Sequence, residues 1–173
     1  DYIRYGFLKR YMYKSITVTP GVDVSRFYPN PSLKTEYTSL LFVAGLGKTE
    51  TYKGLSTLIE AVRDIVKVNT DLVLNVVGDG DMREEYENYV QSIGLEDNIK
   101  FWGKLDGDRL VEKYQKNHIF VSASTNESFS MVILEAMASS LPIIAFDVGS
   151  TSQMIENGKN GFLLSCSGAQ QLK

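Results

Sequence analysis

Five short apolar runs, each closed by a turn and followed by a helical stripe, restrict the fold of this 173-residue chain more than any other feature. Residues 40–44, LLFVA, read as one strand ended by Gly45, and residues 72–77, 99–102, 118–121 and 141–145 repeat the pattern. Runs of this kind without polar alternation belong to strands covered on both faces, which is the situation of a parallel sheet. Between them the apolar positions fall at helical spacing. Leu58, Ile59, Val62, Ile65 and Val66 form one stripe, with Ser56 or Thr57 placed to start it. Tyr86, Tyr89, Val90 and Ile93 form the next, with Gly94 as its stop. Asp106 or Asp108 is placed to cap a third helix carrying Leu110, Val111 and Tyr114. A short helix over residues 150–155 and a turn framed by Asn157-Gly158 and Asn160-Gly161 precede the last apolar run. Ahead of the alternation, residues 15–19 read as a short strand stopped by Pro20-Gly21, Asp23 braces the next turn, and residues 27–31 read as a linker. The expected fold is α/β, a Rossmann-like parallel sheet with helices on both faces. Right-handed crossovers then bring the loops at Gly45, Gly78 and Asn126 to one edge, where such sheets bind ligands.

The stretch NESFSMVILEAMASSLP, residues 126–142, carries the strongest chemical signal. From Met131 to Ala138 the run is apolar on every helical face except at Glu135, the pattern of a helix covered all round. The neighbours of Glu135 at three and four residues are Val132, Met131, Ala138 and Ser139, so no basic side chain is at hand on its own helix. An unpaired buried carboxylate costs on the order of several kcal/mol. That cost is avoided if Glu135 faces an opening and accepts hydrogen bonds from the hydroxyls of a ligand. Ser128 and Ser130 are N-cap candidates for the same helix, and the unpaired amides of a first turn attract phosphate. Phosphate at the helix start, a polyol one turn in and a second carboxylate, Glu127, in the preceding loop describe a nucleotide-activated sugar. A glutamate that merely reaches solvent is the plainer alternative.

Composition narrows the class. A hydrophobic fraction of 43% and a charged fraction of 23% are those of an ordinary globular domain. The length suits one domain with a real core and not two full α/β domains. No run approaches the roughly 18 consecutive apolar residues of a membrane span, no leader pattern opens the chain, and a cytoplasmic location is expected. Cys166 is the single cysteine, which excludes a disulfide frame and a cysteine metal cluster. Arg4, Lys9, Arg10 and Lys14 make the opening basic, and Tyr2, Tyr5, Phe7, Tyr11 and Tyr13 make it aromatic. Ile3, Phe7, Leu8 and Tyr11 fall on one helical stripe, so packing against a neighbour is preferred there over a membrane or nucleic-acid contact.

Several stretches occur in an order that resembles the retaining glycosyltransferases of the two-domain GT-B fold, the glycosyl transferases group 1. They are TPGVDVSRFYPN, LLFVAGLGKTETYKGLSTLIEA, LVLNVVGDGDMREEYE, IKFWGKL, NESFSMVILEAMASSLP and NGKNGFLL, and the likeness runs from about Phe7 to the end. The resemblance implies the C-terminal, donor-binding domain over residues 15–173, with residues 1–14 trailing from an acceptor-binding domain that this sequence lacks. It implies a nucleoside diphosphate sugar as donor, transferred with retention to a glycan or lipid acceptor. Peripheral contact at the inner membrane face would come through the other domain, and no nucleic acid is involved. Carried over residue by residue, Glu135 holds the ribose and Glu127 the donor sugar, while Ser128, Phe129, Ser130, Met131 and Val132 form the diphosphate-binding turn. Lys53 matches the lysine that neutralises the departing diphosphate. The partner arginine is replaced by Gly45, with Lys48 the nearby substitute, and Gly78, Lys104 and Leu105 border the base. Glu127 and Lys53 are the expected catalytic pair. No metal or other cofactor is expected, since Lys53 and the helix amides supply the positive potential. Asp79-Gly80-Asp81 is read as a turn signal and not a metal motif, and His118, the only histidine, as structural. Serines stand at 130, 140 and 150 where the family favours glycine.

Two other readings compete. Gly78-x-Gly80 after a strand hints at a dinucleotide site, but Arg83 occupies the place of the third glycine and residues 99–102 do not end in the acid that would hold a ribose. The second is a non-catalytic nucleotide-sugar-binding or interaction module of the same fold, with which Gly45 is compatible.

Overall fold

The computed structural model describes residue 16 and residues 18–165. The basic aromatic opening and Cys166 therefore lie outside the described residues, as does part of the strand expected over residues 15–19. Ile16, Val18 and Thr19 within that stretch belong to no strand.

Six strands form one sheet: β1 (Ser39–Val43), β2 (Val73–Val77), β3 (Ile99–Phe101), β4 (Ile119–Ser122), β5 (Ile143–Phe146) and β6 (Gly161–Leu164). Their spatial order is β3-β2-β1-β4-β5-β6, and every pair is parallel. This is the doubly wound order, which reverses direction between β1 and β4 and opens a crevice there beyond the strands' carboxyl ends. The helices are α1 (Leu55–Val66), α2 (Arg83–Ser92), α3 (Gly107–Lys116), α4 (Met131–Ala138) and the short α5 (Thr151–Met154).

Strand alternation divides the core into two layers. Leu58, Ile59 and Val62 of α1 and Val90 of α2 pack with Leu40, Phe42, Leu74 and Val76 on one face. Val111 and Tyr114 of α3 and Ile133 and Ala136 of α4 pack with Leu41, Phe120 and Ile143 on the other. Each such large apolar side chain contributes about 1.5–3 kcal/mol when fully buried. The apolar runs are legible as strands for this reason: both of their faces are covered.

Three local expectations are corrected. The linker expected over residues 27–31 begins with a core residue. The Asp23 carboxylate accepts from the Ser25 amide and hydroxyl, the Asp23 carbonyl accepts from the Phe27 amide, and the turn swings Phe27 edge-on against Tyr114 at 5.6 Å between ring centroids. Helix α1 starts at Leu55, not at Ser56 or Thr57, because Gly54 at φ 79° makes the sharp entry that the two hydroxyl residues were expected to cap. Helix α4 is not covered all round: only Ile133 and Ala136 are buried, and Met131 is 39% exposed, since α4 lies at the rim of the crevice with one side against the sheet.

The end of α4 explains one of the serines found where the resembled family has glycine. The Leu141 amide donates to the Ala136 carbonyl and the Ser140 amide to the Met137 carbonyl, the paired bonds of a Schellman cap. Such a cap places its C′ residue in the left-handed region, and Ser140 is there at φ 57°. A left-handed side-chain residue costs about 1–2 kcal/mol, partly offset by the greater unfolded-state freedom of glycine. Ser140→Gly is therefore expected to stabilise the chain by up to about 1 kcal/mol. A denaturant midpoint unchanged or lowered in the variant would contradict this account.

Candidate functional site

Because every strand is parallel, the segments after β1, β2 and β4 leave from one edge. The loop after β1 is pressed onto that after β2: a Cβ at Gly78, whose φ is 149°, would lie 1.8 Å from the Ala44 carbonyl oxygen. Only glycine permits this approach. On the other side, Gly149 at φ 57° backs onto the Glu127 loop, where a Cβ would lie 1.6 Å from the Glu127 carbonyl oxygen.

Two adjoining hollows make up the crevice, sharing Val43, Ala44 and Val132. The outer one, about 380 Å³, is lined by Gly45, Gly78, Asp79, Lys104 and Leu105. The inner one is narrower and holds Lys53, Glu127, Ser124 and Ser130. The residues expected from sequence to border the base thus lie together, and those expected to carry the chemistry lie next to them.

Lys53 and Glu127 meet directly. Lys53 Nζ donates to Glu127 Oε2 at 2.8 Å, with the side chains 24% and 14% exposed. Lys53 closes the helical turn Lys48–Lys53, and Gly54 then leads into α1. Glu127 stands on the loop between β4 and α4. Ser130 occupies the N-cap position of α4 but makes no side-chain cap hydrogen bond. The first-turn amides of α4 therefore keep their capacity to bind an anion at the crevice. Ser130 has φ −99°, a conformation open to any residue, so serine in place of glycine costs no backbone strain there.

Glu135 lies one turn beyond Val132 and lines neither hollow. The hydroxyl partner inferred from sequence is supplied by the protein itself: the fully buried Tyr114 donates its O–H to Glu135 Oε2 at 2.8 Å. Burial raises the Glu135 carboxyl above its ordinary value, against the opposing effects of the Tyr114 hydrogen bond and the charge of Arg26. Burial, and then the Glu135 charge, hold the Tyr114 phenol well above its ordinary value, so it remains a donor. Neither Tyr114 nor Arg26 was a site residue on sequence grounds. The signal lay in the turn centred on Asp23, which sets Arg26 and Phe27 beside this pair.

Other expected residues stand apart from the hollows. Lys48 has a side chain 73% exposed, and its amide donates to Asp81. Ser128 is exposed and Phe129 half-buried in the loop ahead of α4, with Met131 at its first turn. The space at Gly45 is taken by an anion: a Cβ there would fall 2.2–2.4 Å from the Glu50 carboxyl group. Asp79 accepts from the Gly80 amide and Arg83, and Asp81 from the Lys48 amide, which is how a turn uses its aspartates. His118 sits at the start of β4, on the opposite edge, where its Nδ1 lies 2.9 Å from the Ser39 hydroxyl.

The doubly wound sheet with its crevice at the reversal of strand order defines a Rossmann-like α/β domain of the GT-B glycosyltransferase type. The chain belongs to the family described as Glycosyl transferases group 1, whose profile matches residues 29–173. A D-inositol 3-phosphate glycosyltransferase from Corynebacterium aurimucosum is 29% identical over 171 residues, a match spanning 90% of this chain and 40% of that protein. The crystallised C-terminal domain of the group 1 glycosyl transferase LpcC from Francisella tularensis is 30% identical with a TM-score of 0.73, covering 88% of this chain and 84% of that one. HepE of Anabaena, solved in complex with UDP, is 25% identical with a TM-score of 0.74, covering 88% of this chain and 44% of that one. The chain thus spans about 40% of the length of the curated relatives it matches. Among the described residues no helix is long and apolar enough to cross a membrane.

Proposed function

We propose that this chain is the donor-binding domain of a retaining, cytoplasmic glycosyltransferase that takes a nucleoside diphosphate sugar, with the acceptor glycan or lipid held by a second domain. The observation that carries this reading is the half-buried Lys53–Glu127 ion pair beside the uncapped start of α4. A cation and a set of aligned amides are what a departing diphosphate requires. The carboxylate beside them is placed to hold the sugar that the diphosphate leaves behind.

In this reading the base lies in the outer hollow against Gly78, Lys104 and Leu105, the ribose reaches toward Glu135, and the diphosphate bridges the α4 amides and Lys53. Glu127 accepts from the sugar and faces the positive charge that grows at the anomeric carbon. No metal is assigned a part. UDP is the first probe, because HepE was solved with it. Isothermal titration of UDP, GDP and ADP into the chain, with and without chelator, tests the reading. At least one diphosphate is expected to bind equally well in both conditions and, at 100 times its dissociation constant, to stabilise the chain by about 2.7 kcal/mol. Absence of binding by all three, or its loss in chelator, would overturn the proposal.

One observation favours the non-catalytic reading, namely the Glu50 carboxylate filling the space at Gly45 where the resembled enzymes carry arginine. A chain that binds UDP yet leaves a bound UDP-sugar unhydrolysed and untransferred when joined to its acceptor half would settle for that reading.

A further inference from the structure

A hollow of about 520 Å³ is on the α3 side of the sheet and shares no residue with the crevice. Its floor is polar. Asn75 interrupts the run LVLNVV in β2, and its side chain is held by a relay: Trp102 Nε1 donates to Asn75 Oδ1, Asn75 Nδ2 donates to Asn117 Oδ1, and Asn117 Nδ2 donates to the Lys113 carbonyl, at 2.7, 2.8 and 2.8 Å. Asn75 and Asn117 are both buried. Relays of buried amides are costly unless fully satisfied, and this one fixes the plane of an indole that is still 45% exposed. Above the floor, Lys34, Lys113 and Lys116 converge on the hollow and Glu36 is the one acid in its lining. The Lys34 ammonium donates to the Asn117 carbonyl, which ties it to the relay. Lys113 lies over the Trp102 ring. Tyr37, also exposed, completes the rim.

Lys116 is also engaged by Glu112 at 2.5 Å. Of the three lysines around this rigid floor, Lys34 and Lys113 have no carboxylate partner among the described residues and call for an anion, which would share Lys116 with Glu112. The size of the hollow and its aromatic and amide walls call for more than an inorganic ion, since indole and phenol faces cover the apolar faces of a sugar ring while amides and lysines take its hydroxyls and charge. We propose that this hollow is a second binding site, separate from the donor crevice, for a small phosphorylated sugar whose phosphate is held by Lys34, Lys113 and Lys116 and whose ring lies against Trp102 and Tyr37. The state of Lys113 agrees with this. Burial first, and then the charges of Lys116 and Arg109, bring its ammonium down to about 8, with Glu112 opposing. Lys34 and Glu36 face it from the segment before β1, and Trp102 from the end of β3. An arriving phosphate favours the charged form, so affinity is expected to fall as pH rises through 8 and the free lysine loses its proton.

Trp102 is the only tryptophan of the chain and lines both this hollow and a neighbouring one beside Glu87, Glu96 and Lys100, so its fluorescence reports binding at either and the lysine variants assign the signal. Titration with glucose 6-phosphate is expected to give a saturable change with a sub-millimolar Kd, about tenfold tighter than inorganic phosphate, and no change is expected with glucose. Calorimetry should show the Kd weakened at least tenfold in Lys113→Gln, with its dependence on pH near 8 removed, and weakened also in Lys116→Gln. In Lys53→Ala the Kd should be that of the parent chain. No saturable change up to about 10 mM, an equal response to glucose, or an unaltered Kd in Lys113→Gln would overturn the site. Equal affinity for inorganic phosphate would overturn the sugar, and a Kd that moves with Lys53→Ala would return the signal to the donor crevice.

Discussion

Lys53→Ala is expected to weaken UDP binding to this chain by about 100-fold, while Glu127→Gln is expected to strengthen it several-fold. The opposite signs follow from one contact. Lys53 Nζ lies 2.8 Å from Glu127 Oε2 when the site is empty, so a diphosphate must compete with a carboxylate for the lysine. A hydrogen bond to a charged group contributes about 1.5–3 kcal/mol. Alanine at 53 removes that bond and leaves a half-buried carboxylate facing the diphosphate, so loss and repulsion add. Glutamine at 127 releases the lysine and removes the repulsion. In the double variant the lysine is gone but so is the repelling charge, and the Kd should fall between the parent and Lys53→Ala. Calorimetry with UDP, which has no donor sugar to contact residue 127, reads all four chains. Weakening by both single substitutions would show that the ion pair is not what sets nucleotide affinity.

The sequence reading places Glu127 on the donor sugar and Lys53 on the diphosphate but does not show that the two side chains meet, and the reason is a general one. Glu127 and Lys53 are 74 positions apart, and only the parallel packing of β1 beside β4 brings their loops together. Hydrophobic runs report what covers a strand, and so the sheet, its layers and its ligand edge were legible. They do not report which side chains of different elements meet. Asn75 is the same case: it reads as a blemish in an apolar strand until Asn117, 42 positions on, and Trp102 are seen to bond it.

Turns were legible where a single residue type dictates the backbone. Gly94, at φ 69°, ends α2 as expected, and Asp23 braces its turn. They were misread where hydroxyl residues were given a capping role that a glycine performs, as at Gly54 before α1. Ser140 shows the converse. Its departure from the resembled pattern had no visible consequence in the sequence, and the backbone at φ 57° supplies one.

Glu135→Gln is expected to weaken UDP binding tenfold or more, and the same substitution should leave the empty chain as stable or slightly more stable at neutral pH. The site pays in stability for a carboxylate that burial disfavours. Its carboxyl sits above the ordinary value because burial outweighs the Tyr114 hydrogen bond. With the folded-state value above the unfolded one, this group's stabilising contribution is full below the unfolded value of 4.5 and is lost as pH rises through the raised one. An uncharged amide avoids that loss. Binding has the opposite dependence, since the ribose hydroxyls donate best to the ionised form, so UDP affinity should fall as pH drops toward the raised value. Tyr114→Phe sharpens the test. It keeps the ring contacts with Phe27 and Phe120 but removes the hydrogen bond that favours the ionised carboxylate, so the midpoint of the affinity–pH curve should move to higher pH. A purely structural Tyr114 would change stability and leave that midpoint in place. Calorimetric UDP titrations between about pH 4.5 and pH 7.5 on the parent and both variants decide, and a parent-like affinity in Glu135→Gln would remove Glu135 from the nucleotide site.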